Sequence, residues 1–291
     1  MADGKELDII TAPFISNSKL EGLNFLRTPA TGCFRRHFRG GLRSHLFELI
    51  QAKDLEAEQT GKVIDNIRQF PRAMPSRMLR VLRTRFDSLD QALKEIEKYR
   101  LLLEILGPDL VARSEEFIVE YQGCGQKEIL LCGLQEYIKG TILDPWHLAG
   151  RDALKHFYRP NATTPCHGFI ARATREIKTF VGAVRTMIHT TGHIPDLAGV
   201  GNLMLTPEGR LKLVDINNII EIKQTASIPL DDRGYPCCDK SMEVLFILEQ
   251  KILQQPISMD DPLHERFFTP ERREEVKTLE QAFYKRLNKI P

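Results

Sequence analysis

A short stretch near position 200 constrains the fold more than any other part of the sequence. It reads GHIPDLAGVGNLMLTPEGRLKLVDINNI, from Gly192 to Ile219. Its segment TPEG, residues 206–209, puts proline where a tight turn needs a preset φ and glycine where the chain reverses, so we predict a β-hairpin centred near Glu208. Asn202 lies six residues before this centre and Asp215 seven residues after it. Antiparallel pairing therefore brings both side chains to the open end of the hairpin, within a residue of register.

Two oxygen-bearing side chains at one end of a hairpin can share a hard cation. Mg²⁺ is usually held by one or two protein oxygens together with phosphate and water, and Asn202 and Asp215 offer that set. Asp215 also follows the apolar run LKLV, where a carboxylate is costly unless it has a partner. Asp196, just before the first strand, supplies a general base or a group that orients a hydroxyl. The competing interpretation is local hydrogen bonding, because Asp and Asn are common beside turns.

The composition is that of a globular protein long enough for two lobes. Its 291 residues are 42% hydrophobic and 27% charged, with 41 basic and 39 acidic side chains and a net charge of +2. This balance gives no global field that favours nucleic acid or an anionic membrane. The six cysteines form no CxxC pair, which suits a reducing compartment. The N-terminal sequence lacks the basic flank of a signal peptide, and no apolar run is long enough to span a bilayer. We therefore expect a cytoplasmic protein that does not bind membranes, and we regard nucleic acid as a disfavoured partner.

Several secondary-structure elements are predicted around the hairpin. Ser88 and Gln91 form a capping box that opens a helix ending before Gly107-Pro108. Thr269 caps a final amphipathic helix that has proline just inside it. The other predicted elements are a strand at 76–86, two strands around the turn QGCGQ, a short helix around 146–158, a long helix at 173–193, and a helix opened by Asp239 as its cap.

The hairpin resembles the catalytic loop and metal-binding strand of the protein-kinase-like superfamily. In that family an Asp, an Asn a few residues later and a hairpin that ends in an Asp hold the base and the metal ions. On this resemblance Asp196 matches the catalytic-loop Asp, Asn202 the metal-binding Asn, and Asp215 the Asp of the DFG element, here written DIN. The segment from Asp196 to Asn202 is one residue longer than is usual. The resemblance covers roughly residues 76–253, and small bacterial kinase-like proteins are more similar than the eukaryotic protein kinases.

The resemblance implies an α+β protein with a two-lobed protein-kinase-like fold, in which a small mixed β-sheet forms the N-lobe and the C-lobe is mainly helical. The expected parts are an N-terminal arm at 1–30, an N-lobe at 31–138 that contains the capped helix 88–106, and a helical C-lobe at 139–291 that carries the catalytic-loop-like hairpin 194–216. It also implies ATP and Mg²⁺ as cofactors. An unknown hydroxyl compound would accept the phosphoryl group in the cleft between the lobes.

The family's phosphate-anchoring lysine is replaced by arginines in this sequence. Arg80, Arg83 and Arg85 lie on the strand that matches the lysine strand. An arginine can still contact phosphate oxygens, although its fork geometry differs from that of lysine. Glu95 or Glu97, on the capped helix, is the expected ion-pair partner, and Arg83 with Glu95 is the pair we predict to position the phosphates. No G-x-G-x-x-G sequence is present.

Two further segments match the family. LLCGLQEYIKG resembles the hinge strand, so that Gln135, Glu136 and Tyr137 would give backbone contacts to adenine. DKSMEVL resembles the C-lobe helix whose leading acid, here Asp239, braces the catalytic loop.

Three alternatives remain open at this point. The missing glycine-rich loop and lysine favour a pseudokinase or nucleotide-binding scaffold without transferase chemistry. A zinc or thiol site is disfavoured, because the histidines lack metal-motif spacing and no base is identifiable beside a cysteine. A weaker alternative is binding of a phosphate-rich ligand or RNA by an arginine cluster with interspersed glycines. Its members are Arg27, Arg35, Arg36, Arg39 and Arg43, with Gly32, Gly40 and Gly41.

Overall fold

The computed structural model describes residues 8–12, 15–21, 23, 26, 32–38, 41, 43–123, 126–148, 152–159, 165–223, 225, 227–256, 258 and 260–287. The chain divides into two compact units. Unit 1 comprises Met1–Glu97 and Arg113–Tyr137, and unit 2 comprises Lys98–Ala112 and Ile138–Pro291.

The helices are α1 (Asn17–Glu21), α2 (Ala52–Thr60), α3 (Leu89–Leu106), α4 (Cys166–Thr191), α5 (Cys237–Ile247), α6 (Pro262–Phe267) and α7 (Pro270–Leu287). The strands are β1 (Gly32–Arg36), β2 (Ser44–Gln51), β3 (Lys62–Ile64), β4 (Ile67–Gln69), β5 (Arg77–Leu82), β6 (Ser114–Gly123), β7 (Gln126–Glu136), β8 (Thr141–Ile142), β9 (His193–Pro195), β10 (Leu203–Leu205), β11 (Leu211–Leu213) and β12 (Ile219–Glu221). Among the described residues, no helix is both long and apolar enough to cross a membrane.

Unit 1 is built on a five-stranded sheet in the order β1-β2-β5-β7-β6. Its described pairings are all antiparallel, so the sheet predicted to be mixed is an antiparallel one. One face packs against apolar residues of the N-terminal arm, among them Ile9, Ile15 and Leu20. The other face packs against Ala92 and Ile96 of α3. Burial on both faces explains why leucine recurs in the central strands β2, β5 and β7.

The predicted capped helix is confirmed as α3, whose first nine residues belong to unit 1 and whose remaining residues belong to unit 2. Ser88 Oγ accepts a hydrogen bond from the backbone N–H of Gln91 at 3.3 Å, and Gln91 Oε1 accepts one from the backbone N–H of Asp87 at 3.0 Å. The two bonds satisfy N–H groups that the first turn of a helix leaves without partners.

Unit 2 is mainly helical and is organised around α4. The stripe of this helix that contains Ile177, Phe180, Val184 and Met187 is buried, and the apolar residues of the 203–213 hairpin belong to the same core. Gly192 ends the helix in the left-handed region at φ 69°, as its position after the apolar stripe predicts. The helix begins at Cys166, earlier than the sequence pattern indicates, because Phe169 extends its buried stripe by another two turns.

Two predicted helices differ from the structure. The short helix expected around 146–158 is instead a pair of 3₁₀ turns, Pro145–His147 and Ala153–Phe157. The helix expected to start at Asp239 starts at Cys237, with Pro236 at the N-cap and Asp239 inside the first turn. Proline favours the start of a helix through its fixed φ, and here it places that start two residues before the acid.

Candidate functional site

The hairpin of unit 2 forms as its turn sequence predicts. Strand β10 pairs antiparallel with β11, with Leu203 opposite Leu213. The backbone N–H of Gly209 donates to the carbonyl of Thr206 at 2.9 Å, and Gly209 has φ 82°. A Cβ at this position would also lie 2.7 Å from the Phe169 carbonyl oxygen, so both conformation and space require glycine.

At the open end of the hairpin, Asn202 and Asp215 lie within one residue of each other in the register of the two strands. The backbone N–H of Val214 donates to the carbonyl of Asn202 at 2.8 Å, which extends the ladder by one pair beyond Leu203 and Leu213. Asn202 is therefore paired with the residue just before Asp215, as counting from the turn predicts.

The carboxylate of Asp196 is buried and held at both oxygens. Oδ1 accepts from the backbone N–H of Ala198 at 2.9 Å, and Oδ2 accepts from Nδ2 of Asn218 at 2.8 Å. The backbone carbonyl of Asn218 also accepts from the backbone N–H of Asp196 at 2.8 Å. Sequence reasoning missed Asn218, and the only available signal was a second asparagine after the DIN sequence.

Asn202 is connected to Asp196 through the loop backbone. Its Nδ2 donates to the carbonyl of Asp196 at 2.9 Å, and the side chain is buried. Gly199 makes this arrangement possible, because a Cβ at position 199 would lie 2.6 Å from Asn202 Oδ1 and 2.7 Å from Nδ2. The glycine in the loop is thus needed to accommodate the asparagine side chain.

The donor set at this end of the hairpin suits a small hard cation. With Nδ2 of Asn202 committed to the Asp196 carbonyl, its Oδ1 is the atom that remains for a ligand bond. Asp215 is half-buried, and its Oδ1 accepts from the backbone N–H of Asn217 at 3.4 Å. One amide oxygen and one carboxylate are ligands of the kind that Mg²⁺ takes from proteins.

Two side chains from other elements brace the loop between Asp196 and Asn202. The backbone N–H of Leu197 donates to Oγ of Ser241 at 3.1 Å, and Ser241 is fully buried. Nε1 of Trp146 donates to the carbonyl of Ala198 at 3.0 Å. Neither contact was anticipated from the sequence, because both join residues more than 40 positions apart in the chain.

The ring of Trp146 is itself covered by a cation. Nζ of Lys240 lies 4.1 Å from the ring centroid and also bonds to Glu243 at 2.6 Å and to Glu280 at 3.2 Å. Glu280 belongs to α7, so a chain of contacts connects this helix with the loop of Asp196.

The acid predicted to brace the loop has a different role. Asp239 accepts from Arg272 Nε at 2.5 Å and from its Nη2 at 3.1 Å, a two-point ion pair between α5 and α7. Within the described part of the chain, the hydrogen bond between the loop and α5 is accepted by Ser241 and not by Asp239. The two residues are two positions apart on α5 and therefore face different directions, so the rotation of the helix decides which of them faces the loop.

The arginines of unit 1 have different environments. Arg80 is buried, and its Nη2 bonds to Glu116 Oε1 at 2.6 Å and to Ser114 Oγ at 3.1 Å. Arg83 is half-buried, and its Nε donates to the carbonyl of Ile10 at 3.3 Å. Arg85 is exposed and bonds to Glu128 at 2.9 Å.

The two glutamates predicted as arginine partners lie on α3. Glu95 is half-buried and Glu97 is exposed. The salt bridge of Arg80 is made with Glu116 of β6, a carboxylate that sequence reasoning did not consider. The predicted pairing of Arg83 with Glu95 stays a prediction.

The hinge-like residues belong largely to the sheet. Gln135 lies between Met78 and Ser114 in the ladder, and the backbone N–H of Glu136 donates to the carbonyl of Arg113 at 2.8 Å. Tyr137 follows the end of β7, and burial raises the pKa of its phenol. Of the three, Tyr137 alone lies outside the strand.

The arginine cluster is partly internal. Arg35 bonds to Glu48 at 2.7 Å and to Glu58 at 2.9 Å, and Glu48 is also 2.8 Å from Nδ1 of His37. Arg27, Arg39 and Gly40 lie outside the described residues. Because Arg35 is compensated by carboxylates, it adds little to a phosphate-binding surface.

Zinc and thiol chemistry find no support among the side chains that the structure describes. In those parts of the chain, no three His, Cys, Asp or Glu residues are grouped as metal ligands. Burial raises the pKa of the Cys132 and Cys238 thiols to about 12, so both are protonated at neutral pH and poor nucleophiles. Cys124 lies outside the described residues.

No protein-family model and no curated protein matches the chain. Among solved structures, it is similar to the kinase PK-1 of Cydia pomonella granulovirus, with a TM-score of 0.42 and 11% identity over 84% of this chain and 77% of that one. A similarity at this level says nothing about site residues or activity. The α+β class is confirmed by the chain's own elements, and an antiparallel five-stranded sheet followed by a helical unit is consistent with a protein-kinase-like fold.

Proposed function

We propose that the protein is a magnesium-dependent phosphotransferase that uses ATP and a hydroxyl acceptor. The observation that carries the proposal is the hydrogen-bonded assembly around Asp196. Its carboxylate is held by Ala198 and Asn218, its carbonyl by Asn202, and the carbonyl of Asn202 by the residue before Asp215. Asp196 and Asn202 are thus hydrogen-bonded to each other, and Asp215 directly follows the residue that pairs with Asn202.

Asn202 and Asp215 would hold the magnesium ion through Oδ1 and the carboxylate. When bound, the ion would neutralise negative charge on the phosphate oxygens. The fixed position of Asn202 supports this role, since its amide nitrogen is bonded to the Asp196 carbonyl and Gly199 leaves the space that its side chain occupies.

Asp196 would orient the acceptor hydroxyl. Each carboxylate oxygen has two lone-pair sites, so Oδ1 and Oδ2 can each accept a further hydrogen bond beyond the one from the protein. In the transfer, the bond between the γ-phosphorus and the β–γ bridging oxygen breaks and ADP leaves. A new P–O bond forms to the acceptor oxygen, whose proton passes to Asp196 or to solvent.

Arg83 with Glu95 remains our assignment for positioning the phosphates, and Gln135, Glu136, Tyr137, Arg80 and Arg85 remain assignments for nucleotide contact. The environment of Arg83 favours it over Arg80 for a phosphate. Arg83 donates to a neutral backbone carbonyl, whereas the charge of Arg80 is compensated by a buried carboxylate.

The proposal is tested by thermal stabilisation, because a ligand that binds the folded state raises the melting temperature. We expect ATP to raise Tm in a magnesium-dependent manner in the wild type, and Asp215→Asn to lose that dependence. Asp109→Asn, at an exposed position, is the matched control and should behave like the wild type. Phosphoryl transfer from γ-labelled ATP to water, peptides, amino sugars and nucleosides is then measured. An unchanged magnesium response in Asp215→Asn would refute the assignment.

A second candidate function is nucleotide binding without transfer, as in a pseudokinase. It is favoured by the Arg80–Glu116 ion pair, which compensates the cation at the centre of β5. In that case ATP would raise Tm without a magnesium requirement, and no acceptor on the panel would be labelled.

A further inference from the structure

We infer that Asn218 is a positioning residue that fixes the orientation of the Asp196 carboxylate. The inference rests on the proposed function, which gives that orientation its purpose. Asn218 bonds to Asp196 twice, since its side-chain Nδ2 donates to Oδ2 at 2.8 Å and its backbone carbonyl accepts from the backbone N–H of Asp196 at 2.8 Å. The backbone of Asn218 is thereby anchored to the residue whose carboxylate its side chain holds.

The two carboxylate oxygens depend on different parts of the chain. Oδ1 is held from within the loop by the N–H of Ala198 at 2.9 Å, whereas Oδ2 is held by Asn218 from beyond the hairpin. Two donors on two oxygens restrict rotation of the carboxylate plane. Asp196 is only 9% exposed, so solvent is poorly placed to replace a lost donor. Without the Asn218 amide, the carboxylate would be held at one oxygen.

Asn218 is itself rigidly supported. Its Nδ2 lies 3.4 Å from Sγ of Cys237, a buried residue in the first turn of α5. The next residue, Ile219, begins β12 and pairs with Pro195, which adjoins Asp196. A polar group fixed on both sides is suited to orient its neighbour, because the productive geometry of a reacting group has to be held closely.

Three variants separate the amide donor from the shape of the side chain. Asn218→Asp keeps the shape and loses the donor, Asn218→Ala loses both, and Asn218→Gln keeps the donor on a longer side chain. Thr278→Ala, at an exposed position on α7, is the control. The first readout is hydrogen exchange of the Ala198 amide in the ligand-free protein. We expect exchange to accelerate in Asn218→Asp and Asn218→Ala and to remain closer to the wild type in Asn218→Gln.

The second readout is the transfer of labelled phosphate from ATP to water or to an acceptor found on the panel. We expect kcat to fall about 10- to 100-fold in the Asp and Ala variants. Asn218→Gln should retain more activity than either. The magnesium-dependent rise in Tm with ATP should persist in all three, because Asn202 and Asp215 are unchanged.

The outcomes distinguish the inference from the proposed function. An active wild type with an Asn218→Asp variant of normal exchange and normal kcat would overturn the inference alone. The same holds if Asn218→Gln is impaired as severely as Asn218→Ala, since side-chain fit would then outweigh the donor. A wild type that neither responds to ATP nor transfers phosphate would overturn the proposed function, and the inference with it.

Discussion

Arg80 and Glu116 form an ion pair across an intervening strand. They lie on β5 and β6, and β7 runs between these strands with Gly133 opposite both residues. The side chains meet above this glycine, with Nη2 and Oε1 2.6 Å apart and each side chain only 6% exposed. A cation that the sequence offers for phosphate binding is thus compensated inside the sheet.

Removing one partner of this ion pair should destabilise the protein strongly, whereas replacing both partners by apolar residues should destabilise it little. We expect Glu116→Ala to lower the free energy of unfolding by about 3–5 kcal/mol, because the charge of Arg80 is left buried without its carboxylate. Adding Arg80→Met should recover most of this loss, since an apolar replacement removes both charges. Urea denaturation of both single variants and the double variant measures the three values. If the loss in the double variant equals the sum of the losses in the two single variants, the side chain of Arg80 reaches solvent when Glu116 is removed.

Gly133 is required by this bridge. A Cβ at position 133 would lie 2.5 Å from Glu116 Oε1 and 2.6 Å from Arg80 Nη2. We expect Gly133→Ala to destabilise the protein by about 1–3 kcal/mol through overpacking. Gly182→Ala is the matched control, because an added Cβ inside α4 would meet nothing within 4 Å. That variant should gain about 0.5–1 kcal/mol, as alanine is the better helix former. If urea denaturation gives the same change in the free energy of unfolding for both variants, the requirement for glycine at position 133 is contradicted.

Much of the local structure could be predicted because its signals are local. The capping box at Ser88 and Gln91 needs only neighbouring residues, and both of its hydrogen bonds are present. The turn at Thr206–Gly209 likewise fixes the hairpin register, from which the proximity of Asn202 and Val214 follows by counting.

The partners of the candidate site could not be predicted, because they depend on the order of strands and the rotation of helices. Glu116 lies 36 residues from Arg80, and nothing in the sequence states that a single glycine separates them in the sheet. Ser241 and Asp239 share one helix, and the family resemblance pointed to Asp239, whereas the hydrogen bond to the loop is accepted by Ser241.

The buried thiols predict a loss of stability in alkali. Burial raises the pKa of Cys132 and Cys238 from 9.0 to about 12 in the folded protein. The unfolded chain therefore releases these protons first, so their contribution is fully present below pH 9 and is lost as pH rises from 9 towards 12. Each thiol should lower the free energy of unfolding by about 1.4 kcal/mol per pH unit in this window.

Replacing the thiols tests this pH dependence. We expect Cys132→Ala with Cys238→Ala to flatten the decline of stability between pH 9 and pH 10.5, measured by urea denaturation. The cavities left by the substitutions lower stability at every pH, so the difference between pH 8 and pH 10.5 isolates the ionisation. A decline as steep as that of the wild type would mean that other groups dominate in alkali.

Ser241 and Trp146 bond to adjacent residues of the loop, Leu197 and Ala198, and their effects should therefore be coupled. Ser241→Ala leaves the N–H of Leu197 buried without its acceptor, which should cost about 1–3 kcal/mol. Trp146→Phe keeps a ring beneath Lys240 but removes the donor to Ala198, which should cost about 0.5–1.5 kcal/mol.

The double variant should lose less than the sum of the two, because the loop already released by one substitution gains little from the remaining brace. A double-mutant cycle by urea denaturation measures the coupling, and Ser241→Ala combined with the exposed Thr278→Ala provides an additive reference. If the loss for Ser241 and Trp146 is also additive, the two contacts stabilise separate parts of unit 2, and the loop that carries Asp196 is not a single cooperative element.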